Sequence, residues 1–306
     1  MAPVVRTVSV IAGLVVVTLL GVLLTEPGGQ ARHLGGPSKR DRLTALRAVC
    51  SWAPAQGGVA TDRVTGYDLV VVDAIPGADG YRDTTSTELA ALRRSGSLVL
   101  AYMSIGTVES WRRYARRVPP AWTLGPVPHW PGERYVDARR AGWRALLRRE
   151  ADELARIGFD GLLLDNLDVT ARFPEVRRGL VRLVRELRTV DSRMLLVAQN
   201  GLSVADALPI DAIVHEDVFW RWDRGYRMST TRETRRLTRR LRALRAHGLP
   251  VLTLDYTRPG AREAQDVVRR SRLRGFHPAV SVRNLDRPPH ATPRSCGPRP
   301  SKASRR

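Results

Sequence analysis

The sequence predicts an α/β chain folded as a (β/α)8 TIM barrel. A signal or anchor segment precedes the barrel and an irregular basic tail follows it. Three observations point there. Short, continuously apolar runs recur along the chain, as in parallel strands buried on both faces. Helical apolar stripes alternate with those runs. Several runs end on a carboxylate or carboxamide, and a closed parallel barrel gathers such strand ends on the face where active sites sit.

In chain order, the first strand falls near residues 49–52 and the second at 69–73, ending on Asp73. The third, 98–104, contains Tyr102, ends on Ser104 and leads to Glu109. The fourth, 161–165, ends on Asp165 with Asn166 beside it. The fifth, 194–199, runs into Asn200, and the sixth, 212–216, ends on Glu216. The seventh, 251–255, ends on Asp255 and is followed by Tyr256, and the eighth covers 279–282. Between them, Trp143, Leu146, Leu147, Ala151 and Leu154 form one apolar stripe, and Val176, Leu180, Leu183, Val184 and Leu187 another. Gly158, Gly248 and Gly275 each stand between a helix and a strand, where a left-handed cap fits. The long excursion at about 105–141 carries Trp111, Trp122 and Trp130. Long loops over such a face commonly serve function.

The boundaries expected are 1–31 for the signal peptide or membrane anchor, 32–42 for a linker, 43–286 for the barrel and 287–306 for the tail. Arg6 precedes an uncharged apolar run from Val8 to Leu24. That length suits a long signal-peptide core or the shortest of bilayer spans, and Gly29-Gln30-Ala31 resembles a cleavage site. Export is expected, either cleaved or attached to the membrane through residues 8–24. Cys50 and Cys296 flank the barrel. In an exported chain such a pair forms a disulfide, against which stand two unrelated thiols.

Net charge is +21, and of the 51 basic residues only Lys39 and Lys302 are lysines. The arginines lie mainly on helices, as from Arg232 to Arg245 among Leu237, Leu241 and Leu244. This reads as a solvated helix face, with no specific nucleic-acid partner. An anionic polymer held by that surface is the alternative.

Two carboxylates across a cleft are the minimum for glycoside hydrolysis, one to protonate the leaving oxygen and one to attack or activate water. Asp73, Asp165, Glu216 and Asp255 end strands and are the candidates. Crowding would raise at least one of their pKa values, as an acid at neutral pH requires. Trp111, Trp130, Trp220 and Trp222 lie in or after mouth segments and offer flat faces to a sugar. The six histidines are scattered without metal-ligand spacing and no G-x-S-x-G turn occurs, so neither a metal, another cofactor nor a serine nucleophile is expected.

Ser104-Ile105-Gly106-Thr107-Val108-Glu109-Ser110-Trp111-Arg112 resembles the SAGSYEDWR-like segment of glycoside hydrolase family 114, the endo-α-1,4-polygalactosaminidase-like TIM barrels. Trp130-Pro131-Gly132-Glu133-Arg134-Tyr135-Val136-Asp137 is similar to that family's WPGExWLD. Gly158-Phe159-Asp160-Gly161 with Asp165-Asn166-Leu167-Asp168 is similar to its GFDGVxPDNVD. The likeness spans about residues 48–286. It implies a secreted glycosidase acting on an α-linked amino-sugar exopolysaccharide, with Asp165 and Glu216 as the catalytic pair. Asp73, Tyr102, Ser104, Glu109, Trp111, Trp130, Asn166, Asn200, Asp255 and Tyr256 would line the substrate site. Asp165 is expected as nucleophile or base, because Asn166 beside it can hold it ionised. Glu216, approached by Val214 and Phe219, is expected as the acid. His215 stands where the family often has Asn, and Leu164 replaces a usual Pro. The other function class is a carbohydrate- or envelope-binding barrel without turnover.

Overall fold

The computed structural model describes residues 36–73 and 86–293. Eight parallel strands form one sheet in sequential order: β1 Trp52–Ala55, β2 Leu69–Val72, β3 Leu98–Ser104, β4 Gly161–Asp165, β5 Leu195–Gln199, β6 Ala212–Glu216, β7 Val251–Tyr256 and β8 His277–Ser281. Each strand is bonded to its neighbour in sequence, which is the topology of a (β/α)8 barrel. The two ends of the ladder meet where the Trp52 indole donates to the His277 carbonyl at 3.0 Å. Above that contact the Gly57 amide donates to the Leu285 carbonyl at 3.0 Å. A Cβ on Gly57 would stand 2.2 Å from the Asn284 carbonyl oxygen, so only glycine permits this seam.

Strand alternation splits the apolar residues into two cores. Leu69, Val71, Leu100, Leu163, Leu195, Val197, Val214, Leu252 and Leu254 fill the inside of the barrel. Val70, Val72, Val99, Ala101, Leu162, Leu164, Leu196 and Ile213 face the helices. Those helices are α1 Lys39–Arg47, α2 Ser86–Arg94, α3 Ala141–Ile157, α4 Arg177–Arg188, α5 Thr231–Ala246 and α6 Arg262–Arg272. Both expected stripes are buried: Trp143, Leu146, Leu147, Ala151 and Leu154 on α3, and Leu180, Leu183, Val184 and Leu187 on α4. Gly158 ends α3 in the left-handed conformation, at φ 105°.

Three expectations need correction. The first strand starts at Trp52, because the Asp68 carboxylate takes the amides of Cys50 and Ser51 at 3.0 and 2.9 Å and holds them out of the ladder. Helix α1 begins inside the stretch expected as linker, with Ser38 and Asp41 forming a reciprocal capping box. It is tied to the bottom of the barrel, where Lys39 bonds the Met194 carbonyl at 2.6 Å and buried Arg42 bonds the Asp160 carbonyl at 3.2 Å. The tail does not leave the barrel at 287, since Ala291 bridges Val280 of β8.

The excursion after β3 folds into a three-stranded antiparallel sheet of Thr107–Glu109, Thr123–Pro126 and Glu133–Val136, with the last in the middle. Residues 8–24 and Cys296 lie outside the described residues. Among the described residues no helix is long and apolar enough to cross a membrane, and no cysteine is free.

Candidate active site

The inside positions of β2, β3, β4, β5 and β6 continue past the apolar layer as Asp73, Tyr102, Asp165, Gln199 and Glu216. These five groups line a cleft of about 400 Å³ at the C-terminal mouth, within the usual size of ligand sites. The excursion sheet supplies Glu109, Trp111, Arg112, Trp130 and Glu133 to the same cleft, and the segment after β8 supplies Arg283.

Asp165 is held from two sides. The Tyr102 hydroxyl donates to its Oδ2 at 3.0 Å, and the Asn166 amide to its Oδ1 at 2.6 Å. Burial first, and the charge of Glu216 second, push its carboxyl well above the ordinary carboxylate range. Glu216 accepts from the Asn200 side-chain amide at 2.8 Å and from the Tyr256 hydroxyl. The Glu216 backbone amide in turn donates to Asn200 Oδ1 at 3.1 Å, which orients that amide. The two carboxyls therefore face one cleft from strands separated only by β5. The residues directly after β4, β5 and β6, namely Asn166, Asn200 and Asp217, all take left-handed φ angles of 61°, 59° and 58°. Asn and Asp tolerate this region best among side-chain-bearing residues. Gly106 lets the excursion start here, since a Cβ on it would lie 2.0 Å from the Asn166 carbonyl oxygen.

Arg112 forms the floor of the other side. Its guanidinium bonds Asp73 through Nη1 and Glu109 through Nε, and lies 5.5 Å from the Tyr102 ring centroid. Burial works against its charge, but Glu109 and Asp73 outweigh burial and raise its pKa. Burial raises Glu109, and Arg112 opposes that shift. Glu133 accepts from Thr107 Oγ1 at 3.3 Å, and burial together with the charge of Glu109 pushes it up to about 7. At the rim the Arg283 guanidinium stacks 4.0 Å from the Trp130 ring.

Ser104 and Asp255 do not line the cleft. Ser104 is buried and accepts from Asn166 Nδ2 at 2.9 Å, so it supports Asn166 from below. Asp255 has the wrong parity: Leu254 and Tyr256 turn inward, and Asp255 turns toward the helices. Fully buried, its Oδ1 takes the amides of Phe219 and Trp220 at 2.6 and 2.8 Å. Phe219 is packed beneath Arg270, 4.6 Å from its guanidinium, as part of the core. Trp220 and Trp222 belong to a hairpin outside the cleft. Gln199, Arg112, Glu133, Asp168 and Arg283 line the cleft but were absent from the expected set. Counting parity from Leu195 and Val197 finds Gln199, and the Glu109-x-x-Arg112 spacing signals the pair.

Burial raises Asp255 to about 7, against its two amide donors. A raised carboxyl stabilises the fold fully below its unfolded value, about pH 4, and that contribution is lost as pH rises through about 7. Asp255→Asn keeps the acceptor oxygen and removes the charge. Measured as the melting temperature of the variant minus that of wild type, the difference should be more favourable at about pH 8 than at about pH 5. A difference independent of pH would show that Asp255 does not titrate with folding.

The sequence matches the model of glycoside-hydrolase family GH114 over residues 43–296. An uncharacterized protein of Deinococcus radiodurans is 28% identical over 271 residues, 82% of this chain and 85% of that one. The glycoside hydrolase domain of PelA from Pseudomonas aeruginosa superposes with a TM-score of 0.67 at 27% identity, covering 77% of this chain and 95% of that domain. Ega3 of Aspergillus fumigatus, solved in complex with galactosamine, superposes with a TM-score of 0.65 at 17% identity over 78% of this chain and 94% of that one, a likeness of fold.

Proposed function

On the premise that the chain belongs to glycoside-hydrolase family GH114 and is a glycoside hydrolase, we propose that it cuts an α-linked, galactosamine-like polymer internally, with Asp165 and Glu216 as the catalytic carboxyls. One observation carries the reading. In a protein of net charge +21, the cleft presents, among the described residues, Asp73, Glu109, Glu133, Asp165, Asp168 and Glu216 against only Arg112 and Arg283. Such a cleft suits a sugar that carries an ammonium group. Screening over about 10 Å weakens repulsion from the outer arginines, while contacts inside the cleft are screened far less. The galactosamine bound in the structure of Ega3 supports the same substrate class.

Substrate binding also sets the order of the two carboxyls. In the open cleft, burial and Glu216 favour a proton on Asp165. A leaving oxygen bound beside Glu216 accepts a hydrogen bond only from the protonated acid, so the proton of the pair passes from Asp165 to Glu216 and Asp165 is left as the carboxylate. Asn166 and Tyr102 then hold it as nucleophile or base, and Glu216 carries the proton toward the leaving oxygen. Trp130 and Trp111 offer apolar faces to the sugar rings. The apolar run from Val8 to Leu24 supports export, so that the enzyme meets its polymer outside the cytoplasm.

Release of reducing ends from three polymers tests this. De-N-acetylated α-1,4-galactosamine polymer should be cut, its fully N-acetylated form should be cut more slowly, and an anionic uronate polymer should be left intact. Faster release from the acetylated or the anionic polymer would sink the amino-sugar assignment.

A further inference from the structure

A second cavity, of about 510 Å³, lies on the far side of Glu216. Asp168, Asn200 and Glu216 line both cavities and form the wall between them. Beyond that wall the second cavity runs past Ala171, over Asp217 and Arg221, to Glu233 and Arg236 at the start of α5. We infer that this cavity binds the next stretch of the same amino-sugar polymer, with Asp217 as a specificity-determining residue that receives an ammonium or hydroxyl of the sugar beyond the cleavage point. The inference rests on the amino-sugar reading above.

The shared wall is the first reason. A polymer cut internally must extend to both sides of the reacting carboxyls, and Glu216 is reached from both cavities. Second, polar groups around this cavity lack partners. Among the described residues, His215 Nδ1, Asp217 Oδ1 and Arg221 Nε have none, although Arg221 Nη1 bonds Glu233 at 2.7 Å. A buried polar atom without a partner costs about 1–3 kcal/mol, so three around one cavity point to a polar occupant. Third, the carboxylates of Asp168, Asp217, Glu216 and Glu233 outnumber the guanidiniums of Arg221 and Arg236, which continues the charge of the first cleft. Asp217 itself is fixed. Its left-handed backbone follows directly on β6, and its carbonyl accepts from the Ser229 hydroxyl at 2.9 Å.

Two variants test the assignment in different ways. Asp217→Asn removes the charge and keeps a residue that tolerates the left-handed backbone. Ala171→Trp fills the cavity from an exposed position outside the first cleft. The substrates are de-N-acetylated α-1,4-galactosamine oligosaccharides of increasing length. Each variant should raise KM by about tenfold on long oligomers. On the shortest oligomer that is cut, KM should stay at the wild-type value, and kcat should be kept at every length. Unchanged KM at all lengths for both variants overturns the second site while leaving the glycosidase reading intact. Wild type that cuts a neutral polymer but no galactosamine oligomer overturns the amino-sugar reading and this inference with it.

Discussion

Asp165→Asn and Glu216→Gln are each expected to lower kcat by about 10²–10⁴-fold or more, the range over which a positioned acid or base acts. Both exchanges keep size and an acceptor oxygen. Asn at 165 still accepts from one of the two donors to Asp165, the Tyr102 hydroxyl or the Asn166 backbone amide. Gln at 216 still accepts from Asn200 or Tyr256. Neither residue belongs to the apolar cores, so unfolding midpoints should stay near wild type. The exchange also removes a carboxyl whose ionised form burial disfavours, which offsets any weakened hydrogen bond. Steady-state rates on the confirmed polymer, read beside denaturant midpoints, separate chemistry from folding. Near-full activity in either variant would remove that residue from the catalytic pair.

Arg112→Met should be the most destabilising single change in the cleft, by about 3–5 kcal/mol, the range for removing one partner of a buried ion pair. Arg112 is 4% exposed and Glu109 is equally buried. The guanidinium bonds both Glu109 and Asp73, so its loss leaves two carboxylates facing each other near Glu133. The sign with pH follows. Without the cation Glu109 is raised further, and a raised carboxyl loses its stabilising contribution as pH increases. The deficit should therefore be larger at about pH 8 than at about pH 5. Urea unfolding of wild type and variant at both pH values checks this, with Arg112→Lys expected to recover part of the loss. Equal stability of Arg112→Met and wild type at both pH values would refute the role.

Much of this is legible in the sequence, because a strand's alternation is a short-range property. Leu163 and Val214 point inward, and that alone aims Asp165 and Glu216 into the mouth. The same rule, applied to Leu254, would have turned Asp255 away. A strand's last acid reaches the mouth only when its parity is inward. Arg112 was hidden for a different reason. In a chain with so many arginines, one buried cation has no compositional mark, and only its spacing from Glu109 distinguishes it. Helix α1 was hidden by the low apolar content of its sequence, although the Ser38–Asp41 capping box was present to be found. The second cavity depends on where β6, its left-handed Asp217 and the N-terminus of α5 come together, which no local pattern encodes.

The most direct measurement is a mass spectrum of the soluble products released from de-N-acetylated α-1,4-galactosamine polymer in oxygen-18 water. The account predicts a ladder of hexosamine oligomers, each carrying one heavy oxygen at its new reducing end, from wild type and from neither Asp165→Asn nor Glu216→Gln. Unlabelled or unsaturated ends, or the same ladder from either variant, would contradict it.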